Sequence, residues 1–313
     1  MFEKATEINN NHWIAYRNLA FAYYDHLNQP EKARLSMEKA IELYPFEPRL
    51  LMEYEQLLKN LNVTIDERLD VYEKYPELLK DRDDCYLDKL TLISMKGDYK
   101  TAINMAADKH FHIYEGGEGK LTKQHAWMHA LYGVKLTEEG KFEDAAKIFE
   151  NGINMPKSYG EAKTFFNQEA HIFYFLGNLL NKQGRGEEAL KAYEEAAIYK
   201  AAVSEISLFR ALALNKLNRF SEAEEVLNEM LEVAENKIIN CDLRGYYGVG
   251  SPTPMPFELD IERQNLTDGN ILKAYALLGF GKIDEANAAI ENAAEKDPYD
   301  FRIYAYRQIV SVI

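Results

Sequence analysis

The stretch FYFLGNLLNKQGRGEEALKAYEEA, residues 173–196, decides how this chain is read. Phe173, Leu176, Gly177 and Leu180 recur at steps of three and four, which places them on one face of a helix. Ala189, Tyr193 and Ala196 do the same after a break at Gly184–Arg185–Gly186. Gly177 and Ala189 are small where two antiparallel helices must approach closely, while Phe173 and Tyr193 fill the flanking space. Large and small residues in this register describe a helix–turn–helix repeat of about 34 residues.

The grid recurs on both sides. Upstream it runs Gly133, Leu136, Gly140, Phe142, Ala145 and Phe149; downstream, Ala211, Leu214, Asn218, Phe220, Ala223 and Leu227. Ala274, Leu277, Gly281, Ile283, Ala286, Ile290, Ala293 and Pro298 form a later copy, and Gly97, Tyr99, Ala102 and Ala106 a weaker one. Near the start, Tyr16, Leu19, Ala20 and Tyr23 precede Ala33, Met37, Ala40 and Pro45, with one extra residue in the intervening turn. This series resembles the tetratricopeptide repeat family over most of the chain. The resemblance implies an all-α, right-handed superhelix of about seven helix pairs.

Composition narrows the class. The 313 residues carry 37 Lys and Arg against 51 Asp and Glu, a net charge of −14. A field of that sign repels phosphate backbones and anionic headgroups, so neither nucleic acid nor a membrane is expected as partner. No apolar run approaches the roughly 18 residues that span a bilayer, and no signal-peptide core opens the chain. Cys85 and Cys241 lie far apart. They point to a reducing, cytoplasmic setting and to packing roles.

The spacing predicts one repeat domain over residues 1–313. Phe2, Ala5 and Ile8 match the end of a second repeat helix, so residues 1–10 read as the tail of an incomplete repeat in a longer protein. Residues 48–75 and 83–109 read as further helix pairs, with Pro76 closing the first. Tyrosines and arginines between Tyr299 and Val312 form a capping helix within 299–313.

Two insertions interrupt the register, at 110–122 and 235–264. Inserted loops are where a rigid scaffold commonly carries function. The first contains Glu115, Glu118 and Lys120 among glycines; the second contains Tyr246, Tyr247, Glu258 and Asp260 around a proline-rich run. Tyrosines and carboxylates suit polyhydroxylated ligands, which need ring stacking and directional hydrogen bonds. Both loops could equally pack back and seal the array. The strings HIYEGGEGK and YYGVGSPTPMPFELDIE also resemble the helical C-terminal region of a bacterial multidomain family over roughly residues 80–300. Long members of that family carry β-sandwich domains related to carbohydrate-active enzymes, which implies a carbohydrate link and a missing N-terminal domain.

Chemical motifs are weak. Gly119–Lys120 fails as a phosphate loop because Leu121 stands where Ser or Thr is needed. His125 and His129 share a helix face, but Ala126 replaces the glutamate of a metalloprotease, and a third ligand would have to come from His110 or His112. No nucleophile elbow is present. No cofactor, metal or catalytic residue is expected.

The remaining candidates line the first helix of each pair. If Phe173, Leu176, Gly177 and Leu180 face the partner helix, then His171, Tyr174, Phe175, Asn178 and Asn181 form an exposed stripe. Trp127 and Leu131 continue it upstream, and Glu205, Phe209 and Leu212 downstream. Such a groove suits an extended peptide or a glycan. The leading reading is a non-catalytic interaction or scaffold module that binds a protein partner or its own N-terminal domain. The alternative is a carbohydrate-binding or carbohydrate-processing component with a sugar ligand on Glu115, Glu118, Trp127, Tyr247, Glu258 and Asp260.

Overall fold

A computed structural model describes residues 1–112, 117–161, 169–198, 202–243 and 256–313, and every regular element among them is helical. In chain order these are α1 (Phe2–Ile8), α2 (Trp13–Phe21) continued by a π turn (Ala22–His26), α3 (Pro30–Leu43), α4 (Pro48–Asn60) and α5 (Ile65–Lys74). A short α6 (Pro76–Lys80) precedes α7 (Asp83–Met95) and α8 (Tyr99–Asp108). Then come α9 (Lys120–Glu138), α10 (Phe142–Ile153), α11 (Ala170–Lys182), α12 (Gly186–Ala197), α13 (Ser207–Lys216) and α14 (Phe220–Ile239). The last three are α15 (Ile261–Gly279), α16 (Ile283–Lys296) and α17 (Phe301–Ile309). The fold is all-α, and the expected helix pairs are α2/α3, α4/α5, α7/α8 and the four pairs from α9/α10 to α15/α16.

One local device makes every pair. The turn between its two helices holds a residue with positive φ: Asn28, Asn62, Gly97, Gly140, Gly184, Asn218 and Gly281. Only Gly, and to a lesser degree Asn, enters this region cheaply, which is why those types mark helix ends. The next residue then donates its N–H to the carbonyl five positions back. Examples are Val63 to Leu58 at 3.0 Å, and Lys141 to Leu136, Arg185 to Leu180, Arg219 to Leu214 and Lys282 to Leu277 at 2.9 Å. In the first pair the bond runs one residue further, from Gln29 to Tyr23 at 2.8 Å. The extra residue seen in the sequence is therefore absorbed as a π turn in the first helix.

Close helix approach follows from the small residues. A Cβ built on Gly177 would lie 2.5 Å from the Tyr193 ring, and one on Gly133 would lie 2.3 Å from the Phe149 ring. The aromatic of the second helix thus lies directly over the glycine of the first, and no larger residue fits.

The chain divides into two compact units: Met1–Leu92 with Tyr246–Asp260, and Ile93–Gly245 with Ile261–Ile313. The first buries Leu19, Ala33, Met37, Leu50, Tyr54 and Tyr72 among others. It also buries Arg68, which donates to Glu55 and, at 2.9 Å, to Asp88. Such pairs fix geometry more than they stabilise, because desolvation offsets most of the attraction.

In the second unit the first helices form a closed circuit. α9 packs on α11, α11 on α13, α13 on α15 and α15 on α17, and α17 returns to α9. Trp127 meets Phe301 at 6.2 Å between ring centroids, and the Tyr99 and Tyr304 hydroxyls are 2.6 Å apart. Arg302 pairs with Asp268 at 2.7 Å, and the Tyr275 hydroxyl donates to the Arg302 carbonyl at 2.8 Å. The C-terminal helix is thus the closing piece of this unit.

Gly177→Ala is expected to lower unfolding free energy by ~1–3 kcal/mol through collision with Tyr193. Gly184→Ala meets open space but places a Cβ at positive φ, which costs about 1 kcal/mol. Urea titration of both variants checks this; two unchanged midpoints would mean that the repeat register is wrong.

Candidate functional site

Circuit closure reverses the expected exposure of the groove residues. Trp127, His171 and Phe209 have no exposed surface, and Tyr174, Phe175, Leu131 and Glu205 are buried as well. Phe173 and Leu176, assigned to the partner helix, are only half-buried. The rings pack on one another: Trp127 to His171 at 4.5 Å, His171 to Phe209 at 5.7 Å and Tyr174 to Phe209 at 6.0 Å. Asn178 is spent inside its own pair, accepting from the Tyr193 hydroxyl at 2.8 Å. Of the stripe, Asn181 is exposed and Leu212 half-buried. This face is the core of the second unit, not an open groove. Helical periodicity groups these residues on one face but cannot see that neighbouring helices, α17 among them at Trp127, cover it.

The polar groups of that core are held neutral or paired. Burial lowers His171 to about 3 and His125 to about 3, and lowers His129 to about 4. His125 bonds the Tyr159 hydroxyl at 2.9 Å and the Asn151 carbonyl at 3.1 Å, while His129 bonds the His125 carbonyl at 2.8 Å. Burial would raise the Glu205 carboxyl, but Lys123, 2.7 Å away, and Arg302 hold it below its ordinary value. These are packed, buried positions. Among the described residues no group of three His, Cys, Asp or Glu is arranged to hold a metal ion, and no helix is long and apolar enough to cross a membrane.

The first insertion leads into α9. Glu118 and Lys120 are exposed there, and the Gly119 N–H donates to Glu161 at 3.0 Å. Glu115, Tyr246 and Tyr247 lie outside the described residues. Of the six residues expected to meet a sugar, Glu115 and Tyr247 are therefore not described. Trp127 is buried and offers no face for stacking, while Glu118, Glu258 and Asp260 are exposed.

The first unit holds a different kind of site. On α2, Trp13, Arg17, Phe21 and Tyr24 follow one another at helical spacing, away from the Leu19, Ala20 and Tyr23 core. Arg17 lies 4.8 Å over the Phe21 ring and pairs with the buried Glu53 of α4, which also accepts from Arg49 at 2.7 Å. Trp13 stacks on Tyr44 at 5.0 Å with ring planes 5° apart. At the end of this strip the π turn turns Tyr24 and Asp25 toward residues 256–260. Phe257 inserts there, 4.8 Å from Phe21 and 5.2 Å from Tyr24 between ring centroids, and is 3% exposed. The Glu258 N–H donates to Asp25 Oδ1 at 2.9 Å. Burial raises the Asp25 carboxyl above its ordinary value; this hydrogen bond opposes the shift, and the Glu258 charge adds to it. Glu258 and Asp260, expected as contact residues, are exposed and follow the anchor Phe257 in sequence. Phe21, Tyr24, Asp25 and Phe257 were missed; the one usable signal was the extra residue in the first repeat.

Tetratricopeptide repeat models match residues 15–47, which cover α2 and α3, and residues 174–236, which cover α11 to α14. The chain carries tetratricopeptide repeats. Similar solved structures include YrrB, described as a tetratricopeptide repeat protein with an unusual peptide-binding site. It is 20% identical over 69% of this chain and 97% of that one, with a TM-score of 0.40. A tetratricopeptide repeat protein from Parabacteroides merdae is 11% identical over 96% and 99%, at 0.42. Yeast Tom70 is 17% identical over 99% of this chain and 58% of that one, at 0.39. In the matched segments the tetratricopeptide register is the one set by the Gly and Asn turns above.

The three buried histidines of the repeat core predict acid sensitivity. Their folded pKa values lie below the ordinary 6.5, so the unfolded chain binds more protons between about pH 6.5 and pH 3–4. Stability is then fully present above that window and falls as pH is lowered through it. His171→Gln should reduce proton uptake on unfolding at pH 5 by about one proton, read from the pH dependence of Tm. An unchanged slope would place His171 in a solvated setting.

Proposed function

We propose that this chain is a non-catalytic protein-interaction module that holds an extended polypeptide segment on the α2 face of its first unit. One observation carries the reading: a non-helical segment, 256–260, is seated there by an aromatic anchor and a backbone hydrogen bond. Aromatic-lined clefts suit proline-flanked segments, whose fixed φ reduces the entropy lost on binding. The second unit supports the reading differently. Trp127, Tyr174, Phe175 and Phe209, the aromatics of its first helices, are buried, so it acts as a rigid scaffold and not as a second groove. The sugar reading finds no comparable support, because its central tryptophan is buried.

A peptide-display selection against the intact chain tests this. The expected result is an enriched consensus with an aromatic anchor whose binding falls about tenfold or more on Tyr24→Ala and is unchanged on Phe220→Ala, a change at an exposed position in the second unit. Absence of a consensus, or one lost only with Phe220→Ala, would contradict it.

A further inference from the structure

The insertion between α14 and α15 leaves the second unit's sequence, yet residues 256–260 are packed as part of the first. We infer that this segment is an internal ligand: it occupies the Phe21–Tyr24–Asp25 cleft in cis and is displaced by a partner segment carrying a proline–aromatic pair followed by a non-acidic residue. This inference rests on the interaction reading above and adds the occupant and the partner's chemistry.

Three observations carry it. First, the cleft is made by a departure from the repeat. The additional residue forces a π turn at Ala22–His26, and that turn supplies Tyr24 and Asp25, the two residues that receive the segment. Single π turns within α-helices are uncommon and concentrate at functional sites. Second, the hold is small. Phe257 is the buried residue of the segment, while Glu258, Leu259 and Asp260 are exposed. A contact of this size opens at far lower free energy than the helical core around it.

Third, the internal ligand is poorly matched to its site. The hydrogen bond places an acidic residue, Glu258, next to Asp25, and its charge works with burial to push the Asp25 carboxyl up. Asp25 uses the backbone N–H, so the contact does not require an acidic side chain at this place. A partner segment with Lys or Gln at that place keeps the N–H and the aromatic anchor without the repulsion. Tethering compensates in cis, since attachment at both ends gives residues 256–260 a high effective concentration. Such a ligand holds the cleft closed to weak competitors and yields to a better one.

The test uses the full chain and two fluorescein-labelled peptides: SPTPMPFELDIE, which is residues 251–262, and the same peptide with Glu258→Lys. Phe257→Ala empties the cleft and should bind the native-sequence peptide about tenfold or more tightly than the wild-type chain does. The lysine peptide should bind both chains more tightly than the native-sequence peptide. Adding Tyr24→Ala to Phe257→Ala should abolish binding. Circular dichroism of each variant guards against unfolding. Hydrogen exchange on the unmutated chain gives a second readout: excess lysine peptide should accelerate exchange of the Glu258 amide. Equal peptide affinity for wild type and Phe257→Ala, with no change in that amide, would overturn the internal-ligand inference and leave the interaction reading to the display selection. Failure of both peptides to bind either chain would overturn it too.

Discussion

Everything in this molecule depends on how closely two consecutive helices can approach. A left-handed Gly or Asn ends the first helix, and the next residue's N–H ties back to its last turn. The second helix then lays an aromatic ring over a glycine of the first, as Tyr193 does over Gly177 and Phe149 over Gly133. Neither half suffices alone. Without the turn the helices diverge; without the glycine the ring has nowhere to go. Because each pair buries its apolar face only partly within itself, stability comes from stacking on the neighbouring pair.

That stacking has different outcomes in the two units. In the second, the first helices follow one another around until α17 meets α9, and the face that repeats of this type present to solvent becomes core. Trp127, His171 and Phe209 then contribute burial, and the ion pairs Lys123–Glu205 and Arg302–Asp268 accompany the closure. In the first unit the strip along α2 stays partly open and receives residues 256–260. One chain therefore uses the same repeat to make a filled scaffold and a receiving surface.

How much of this can be read from residues depends on range. The turn glycines and asparagines, the glycine–aromatic grid and the number of pairs are local, and their spacing reports them directly. The exposure of Tyr174 or Phe209 is not local. It is decided by packing between neighbouring pairs, where Phe209 meets Trp127, His171 and Tyr174, and no periodicity on α11 or α13 encodes what covers them. The second insertion shows an intermediate case. Its proline-rich character marks it as a segment held against a surface, but Glu258 and Asp260 attract notice as chemistry-bearing residues when the anchor is Phe257 just before them. The extra residue before Asn28 was visible as a longer turn. Only the hydrogen-bond pattern reveals that the helix itself absorbs it, and so re-aims Tyr24 and Asp25.

The central claim is that Phe257 is energetically coupled to the cleft created by the π turn. A double-mutant cycle on stability, with Phe257→Ala and Tyr24→Ala singly and together, measures this directly. An aromatic pair in contact should give a coupling of ~0.5–1.5 kcal/mol. Strict additivity, with no coupling beyond error, would mean that residues 256–260 do not occupy the site in solution.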